Sequence, residues 1–185
     1  MSKWLTRSWK MVAAVGAAAV VAVVSVVIGL ALFGFTPGGA DPDVDVRDPL
    51  SEDAGVAAAS TVAAVNSYVP GEDSSPGDAA TRVIERLSGK YLMLARDPAG
   101  APKPDQWDAW ARSGDRVHAV AEPTREFREP AEEATSATVP LKLRVFVWHA
   151  DGERTPLSAS EVRASMVREA GMWKLSDVEY VRSLP

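Results

Sequence analysis

The hydrophobic pattern changes character three times along the chain. From Met11 to Phe35 no residue is charged, and Ser25 is the only polar side chain in a run rich in Ala and Val. At about 1.5 Å per helical residue this run spans about 37 Å, enough to cross a hydrocarbon core of about 30 Å with some tilt. In lipid every backbone polar group must be satisfied within the segment, so a helix is the expected form. Residues 1–10 then form a short tail carrying Lys3, Arg7 and Lys10. Residues 36–50, TPGGADPDVDVRDPL, form a stalk rich in Pro, Gly and Asp. Basic residues before the run and Asp41, Asp43 and Asp45 after it orient the N-terminus inside, which makes the rest extracytoplasmic. Gly38 and Ala40 also fit a small-x-small cleavage site, so a signal peptide cut after Ala40 is the alternative. Against it, the apolar run is far longer than the roughly 7–15 residues of a signal core.

Residues 51–185 read as one outer domain whose apolar spacing is first helical and then alternating. A helix is predicted over Glu52–Ser67, capped by Ser51, with Val56, Ala59, Val62, Ala63 and Val65 on its packed side. After the loop 70–77, Asp78 is read as the cap of a second helix carrying Val83, Ile84, Leu87, Tyr91 and Leu94, broken at Gly89. A short third helix, capped by Asp105, places Trp107 and Trp110 on one side. Beyond Gly114, Arg116–Phe127 reads as an edge strand interrupted by Pro123. Residues 125–133 carry mixed charge (Arg125, Glu126, Arg128, Glu129, Glu132, Glu133) and read as a solvated face or loop. In Ala137–Trp148, Val139, Leu141, Leu143, Val145 and Val147 alternate with other side chains, the strongest strand signal in the chain.

Two hairpins complete the pattern. Asp151-Gly152 suits a two-residue turn, with Ala150 facing Glu153. Counting back puts Lys142 opposite Glu161, Phe146 opposite Leu157, Leu141 opposite Val162 and Ala137 opposite Met166. Ser158 and Ser160 then face Val145 and Leu143, a mismatch that a bulge near Pro156 would absorb. A second turn at Ala170-Gly171 sets Trp173 beside Arg168 and Leu175 beside Met166. A bulge at Ser176-Asp177 is needed to keep Val178 and Tyr180 inside. The expected fold is α+β, with about three helices covering one face of a curved antiparallel sheet of about four strands.

Charge and composition narrow the function. Residues 36–185 hold 17 bases against 25 acids, which argues against nonspecific nucleic-acid binding. The chain has no cysteine, so disulfides, thiolate metal sites and a cysteine nucleophile are excluded. His118 and His149 have no metal-ligand spacing, no Gly-rich phosphate loop follows a strand, and no serine sits in a nucleophile elbow. Catalytic residues, metal ligands and cofactors are therefore not expected. A His–Asp pair would need tertiary proximity. Asp177 falls where alternation fails, and with Tyr180 and His118 it is the candidate for a cavity-facing group. Lys142, Arg144, Phe146 and Trp148 share the strand face opposite the aliphatic one. They form either a partner surface or, if helices cover Phe146 and Trp148, a second small core.

The order of a single span, an acidic stalk, an Ala-rich helix and terminal antiparallel strands resembles a known architecture. It resembles actinobacterial single-pass membrane proteins with an NTF2-like extracytoplasmic domain. The Mce-associated membrane proteins are the nearest likeness, and VirB8-like conjugation proteins share the plan. The residues that carry the likeness are AAVNSY at 63–68, LSGKY at 87–91 and VRASMVREAGMWKLSDVEYV at 162–181, with Met166, Gly171, Trp173 and Val178 in the final hairpin. The insert PAGAPKPDQWDAWAR at 98–112 departs from that pattern. The resemblance implies a non-enzymatic scaffold subunit of a cell-envelope transport assembly, for lipid import or conjugative secretion, anchored through residues 11–35 and contacting other envelope proteins. A domain binding a lipid or small apolar ligand in an NTF2-like cavity is the alternative, and a cavity enzyme a third.

Overall fold

A computed structural model describes residues 52–185. The expected tail, membrane span, stalk and Ser51 cap lie outside the described residues. Among the described residues no helix is long and apolar enough to cross a membrane. The fold is α+β: four antiparallel strands in the order β1-β2-β3-β4, with the helices preceding them in the chain.

Helix α1, Ala54–Val65, lies across all four strands. It begins at Asp53, whose carboxylate accepts from the Val56 amide at 2.7 Å. Its first two amides are taken by a residue far along the chain: Glu129 accepts from Ala54 at 3.0 Å and Gly55 at 2.9 Å. Two carboxylates thus meet the positive end of the helix dipole. The packed face also differs from expectation. Ala54, Gly55, Ala57, Ala58, Thr61 and Val62 are buried, while Val56 is 42% exposed. At 100° per residue Val56 points nearly opposite that face. Small side chains won the buried side because they let the helix backbone approach the sheet closely.

The second expected helix is three short pieces: α2, Asp78–Thr81, a 3₁₀ turn at Ile84–Arg86, and α3, Gly89–Arg96. The break precedes Gly89. Leu87 is extended and fully buried, bridges Leu175, and the next amide, Ser88 N–H, donates to the Leu175 carbonyl at 2.8 Å. Asp78 opens α2 rather than capping it, and its carboxylate accepts from Ser74. Helix α4, Trp107–Ser113, buries Trp107 and Trp110 and starts after Gln106, not after an Asp105 cap. Trp107 stacks on Tyr68 with ring centroids 5.5 Å apart.

Strand β1, Arg116–Pro123, is an edge strand that stops at Pro123, earlier than the expected Phe127. Its open edge pairs at Val117 with Tyr68, and the Ala119 amide donates to Ser67 Oγ at 2.9 Å. Strand β2, Ser136–Trp148, sends Val139, Leu141, Leu143, Val145 and Val147 into the core. Opposite it runs β3, Arg154–Glu169, in the expected register over most of its length, including Lys142 with Glu161 and Leu141 with Val162. Near the turn two departures compensate. The loop is Ala150–Gly152, three residues rather than two, because His149, not Ala150, pairs with Glu153. Gly152 takes φ +89°, the left-handed residue of a turn-plus-bulge hairpin. A bulge at Leu157 then restores the count, so Phe146 faces Pro156 instead of Leu157.

Strand β4, Met172–Ser183, follows a tight turn in which Ala170 and Gly171 both have positive φ, 51° and 82°. The register slips at Ser176, as the alternation requires, and Val178 is buried. A second slip at Val181 leaves Tyr180 58% exposed at the end of the inner face. Leu141, Leu143, Met166 and Leu175 fill the space between helices and sheet.

Candidate interaction surface

The helices pack on the aliphatic side of the sheet, and among the described residues none covers the opposite face. The expectation of a second small core around Phe146 and Trp148 is therefore corrected. Trp148 is 43% exposed, and Phe146 is half-buried under neighbouring side chains on its own face. The register groups the outward residues into rows across β1, β2 and β3: Arg116–Trp148–Arg154, then His118–Phe146–Pro156, then Val120–Arg144–Ala159, and then Glu122–Lys142–Glu161.

The two ends of this face differ in charge. At the Lys142 end acids stand among the cations. Arg144 pairs with Glu122 at 3.0 Å, and Lys142 stands between Glu122 and Glu161. Arg182 clasps Glu161 with two bonds of 2.8 and 2.7 Å. Those bonds hold the Glu161 carboxyl below its ordinary range and raise the guanidinium of Arg182. At the Trp148 end, Arg154 lies 5.5 Å from the Phe146 ring and His118 meets Trp148 edge-on at 5.7 Å. No carboxylate among the described residues pairs with Arg116 or Arg154. Of the four residues singled out in the sequence, Arg144 is thus ion-paired, Lys142 stands between acids that bond to arginines, and Phe146 and Trp148 mark the open end.

Behind the Arg116–Trp148–Arg154 row runs a chain of hydrogen-bonding groups. Asp115, His149 and Thr155 are the immediate sequence neighbours of the three row residues, so alternation sends them to the other face. His149 Nδ1 lies 3.2 Å from the nearly buried Asp115 carboxylate, and its Nε2 lies 2.9 Å from Thr155 Oγ1. This is the His–Asp proximity that spacing alone could not reveal, and it clamps three strand ends together. Trp148 also stands as a ridge between two hollows. One, of about 450 Å³, is bordered by Tyr68, Val69, Asp73 and His118. The other, of about 250 Å³, is bordered by Gly114, His149 and Gly152.

The three residues expected in a cavity do not converge. His118 lies on the outer face. Asp177, on edge strand β4, pairs with Lys90 of α3 at 3.1 Å. Tyr180 approaches Asn66 with its hydroxyl at 3.4 Å, and partial burial raises its phenol. Both border Tyr91, whose phenol is held far above its ordinary value, first by burial and then by Tyr180 and Asp177. Sequence reading missed Arg116 and Arg154 as partners of Trp148. Counting the hairpin loop as three residues would have found Arg154, whereas Arg116 comes from β1, whose pairing with β2 the sequence reading did not register.

Comparison of the chain with protein-family models, with curated proteins and with solved structures finds no match.

Proposed function

We propose that this chain is a membrane-tethered, non-enzymatic docking module of the cell envelope. The observation that carries the reading is the open end of the uncovered sheet face, where exposed Trp148 stands between two arginines that have no acidic partner among the described residues. Exposed tryptophan and arginine dominate the energetics of protein interfaces. Residues 11–35 have the length and composition of an anchor, which would concentrate the module near other envelope proteins. The sheet order and the final Gly-turn hairpin with Trp173 agree with an NTF2-like plan. By resemblance, the assembly served is an Mce-type lipid importer or a conjugative secretion channel. Fold likeness alone does not choose between the two.

The test is site-directed photocrosslinking in the native membrane, with the probe at position 150 beside Trp148. Recovery of defined envelope subunits, lost on Trp148→Ala, supports the module. Because Trp148 lies outside the core, this variant should keep its melting temperature within about 3 °C. Recovery of nothing at native expression sinks the proposal. The small-ligand alternative draws on the hollow of about 450 Å³ beside Tyr68, since Leu141, Leu143, Met166 and Leu175 occupy the space under the helices.

A further inference from the structure

Resting on the docking reading, the geometry of the Trp148 row narrows the partner. We infer that it recognises an extended, proline-containing acidic peptide whose carboxylates stand three residues apart. Three features of the row support this.

The first is spacing. Arg116 and Arg154 are the direct cross-strand neighbours of Trp148 on either side. Adjacent strands lie about 4.8 Å apart, so the two arginine positions are about 10 Å apart across the sheet. A polyproline II helix rises about 3.1 Å per residue and repeats every three residues. Acids at i and i+3 therefore lie along one edge of the three-sided helix about 9 Å apart, and residue i+1, a third of a turn round on the adjacent edge, completes with them the side that can rest on the sheet. A proline there meets the indole, the kind of aromatic surface that such helices dock on.

The second is charge. Arg144, Arg163 and Arg182 on the same sheet face each have an acidic partner, at Glu122, Glu179 and Glu161. Among the described residues the cations of these rows without an ion pair are Lys142, Arg116 and Arg154. Lys142 stands between Glu122 and Glu161, whereas Arg116 and Arg154 have no acid beside them in their row, so complementarity at Trp148 calls for an anion on each side of it. The third is preorganisation. The Asp115–His149–Thr155 chain fixes the ends of the three strands that carry the row, which lowers the ordering cost of binding.

The experiment uses the full chain in phosphatidylcholine nanodiscs and a fluorescein-labelled peptide containing Asp-Pro-Pro-Asp, read by anisotropy. The expected result is saturable binding. Arg116→Gln and Arg154→Gln should each weaken it about three- to fivefold, as exposed ion pairs do. Trp148→Ala should weaken it about tenfold. The Asn-Pro-Pro-Asn peptide should not bind, and Asp-Pro-Asp should compete poorly. Equal competition by Asp-Pro-Asp, or binding unaffected by both arginine substitutions, overturns the inference. So does capture of phosphatidylglycerol vesicles that depends on the same arginines while the peptide stays inert, because the row would then be reading a lipid surface. If the peptide fails while crosslinks from position 150 still reach an envelope protein, docking stands and only the peptide class falls. If both fail, the docking reading falls too.

Discussion

Glu129 shows how far one side chain can act from its place in the chain. Its carboxylate closes the first two amides of α1 across 75 and 74 residues, and Gly55 makes room for it. A Cβ at Gly55 would sit 2.7 Å from Phe127 Cε1 and 2.8 Å from the Glu129 carboxylate. Gly55→Ala would ordinarily gain about 1 kcal/mol of helix propensity. Here the overlap should reverse the sign and cost about 1–3 kcal/mol, measurable by urea unfolding. The site also carries a pH signature. Burial, reinforced by the neighbouring Asp53 carboxylate, outweighs the two amide bonds and raises the Glu129 carboxyl. In the window just above the ordinary glutamate range the folded state therefore holds a proton that the unfolded state has released. The contribution of Glu129 to stability falls as pH rises through that window. Unfolding curves of wild type and Glu129→Gln between about pH 4 and 6.5 should draw together as pH increases. A gap that widens would contradict the assignment.

At the scale of elements, the bulge in β4 keeps its alternation in step with the core. Leu175 and Val178 both point inward because Ser176 is looped out between them. Deleting Ser176 should leave a regular ladder with the same inside and outside, and the chain should still melt cooperatively. Deleting Lys174 instead would turn Leu175 outward, and cooperative melting should be lost, since a one-residue slip exchanges the faces.

The same alternation explains what could be read from the chain beforehand. The run Val139 to Val147 settles β2 and, through Lys142–Glu161, most of the β2–β3 register. The bulge at Ser176 was legible because its absence would bury Asp177. Two details were not. The side of α1 that packs is chosen by how closely its backbone approaches the sheet, and a hydrophobic pattern favouring Val56 and Ala59 carries no such information. The hairpin loop at Ala150–Gly152 holds three residues where two were counted, which shifts the register by one until the bulge at Leu157, anticipated near Pro156, restores it; the extra loop residue hid the pairing of Phe146 with Pro156. The candidate surface was half legible for this reason. Trp148 and Phe146 stood out, but the arginines beside Trp148 come from β1 and from the far side of the misread turn.

For the whole molecule, the two sheet edges are closed against chance pairing by different means. On β1 the cover is Ser67–Tyr68 and the stop at Pro123; on β4 it is Leu87–Ser88 and two bulges. Association is thereby directed to faces rather than edges, in keeping with docking through the Trp148 row. The proposed topology makes a prediction of its own. Protease added outside intact spheroplasts should remove the domain and leave a short protected N-terminal fragment, detectable with an N-terminal tag. Complete protection would reverse the orientation.

The long-range clasp on α1 also sets a clock. Ala54 and Gly55 leave the ribosome 74 or more residues before Glu129, and the β4 residues that α1 packs on follow still later. At about 5–20 residues per second, the helix waits roughly 4–15 s for its clasp. Its buried face is built of small side chains with Val62 the largest, so the waiting segment exposes little that would trap it in a wrong association. The packing around α1 therefore cannot be completed until β4 has been made, near the end of the chain.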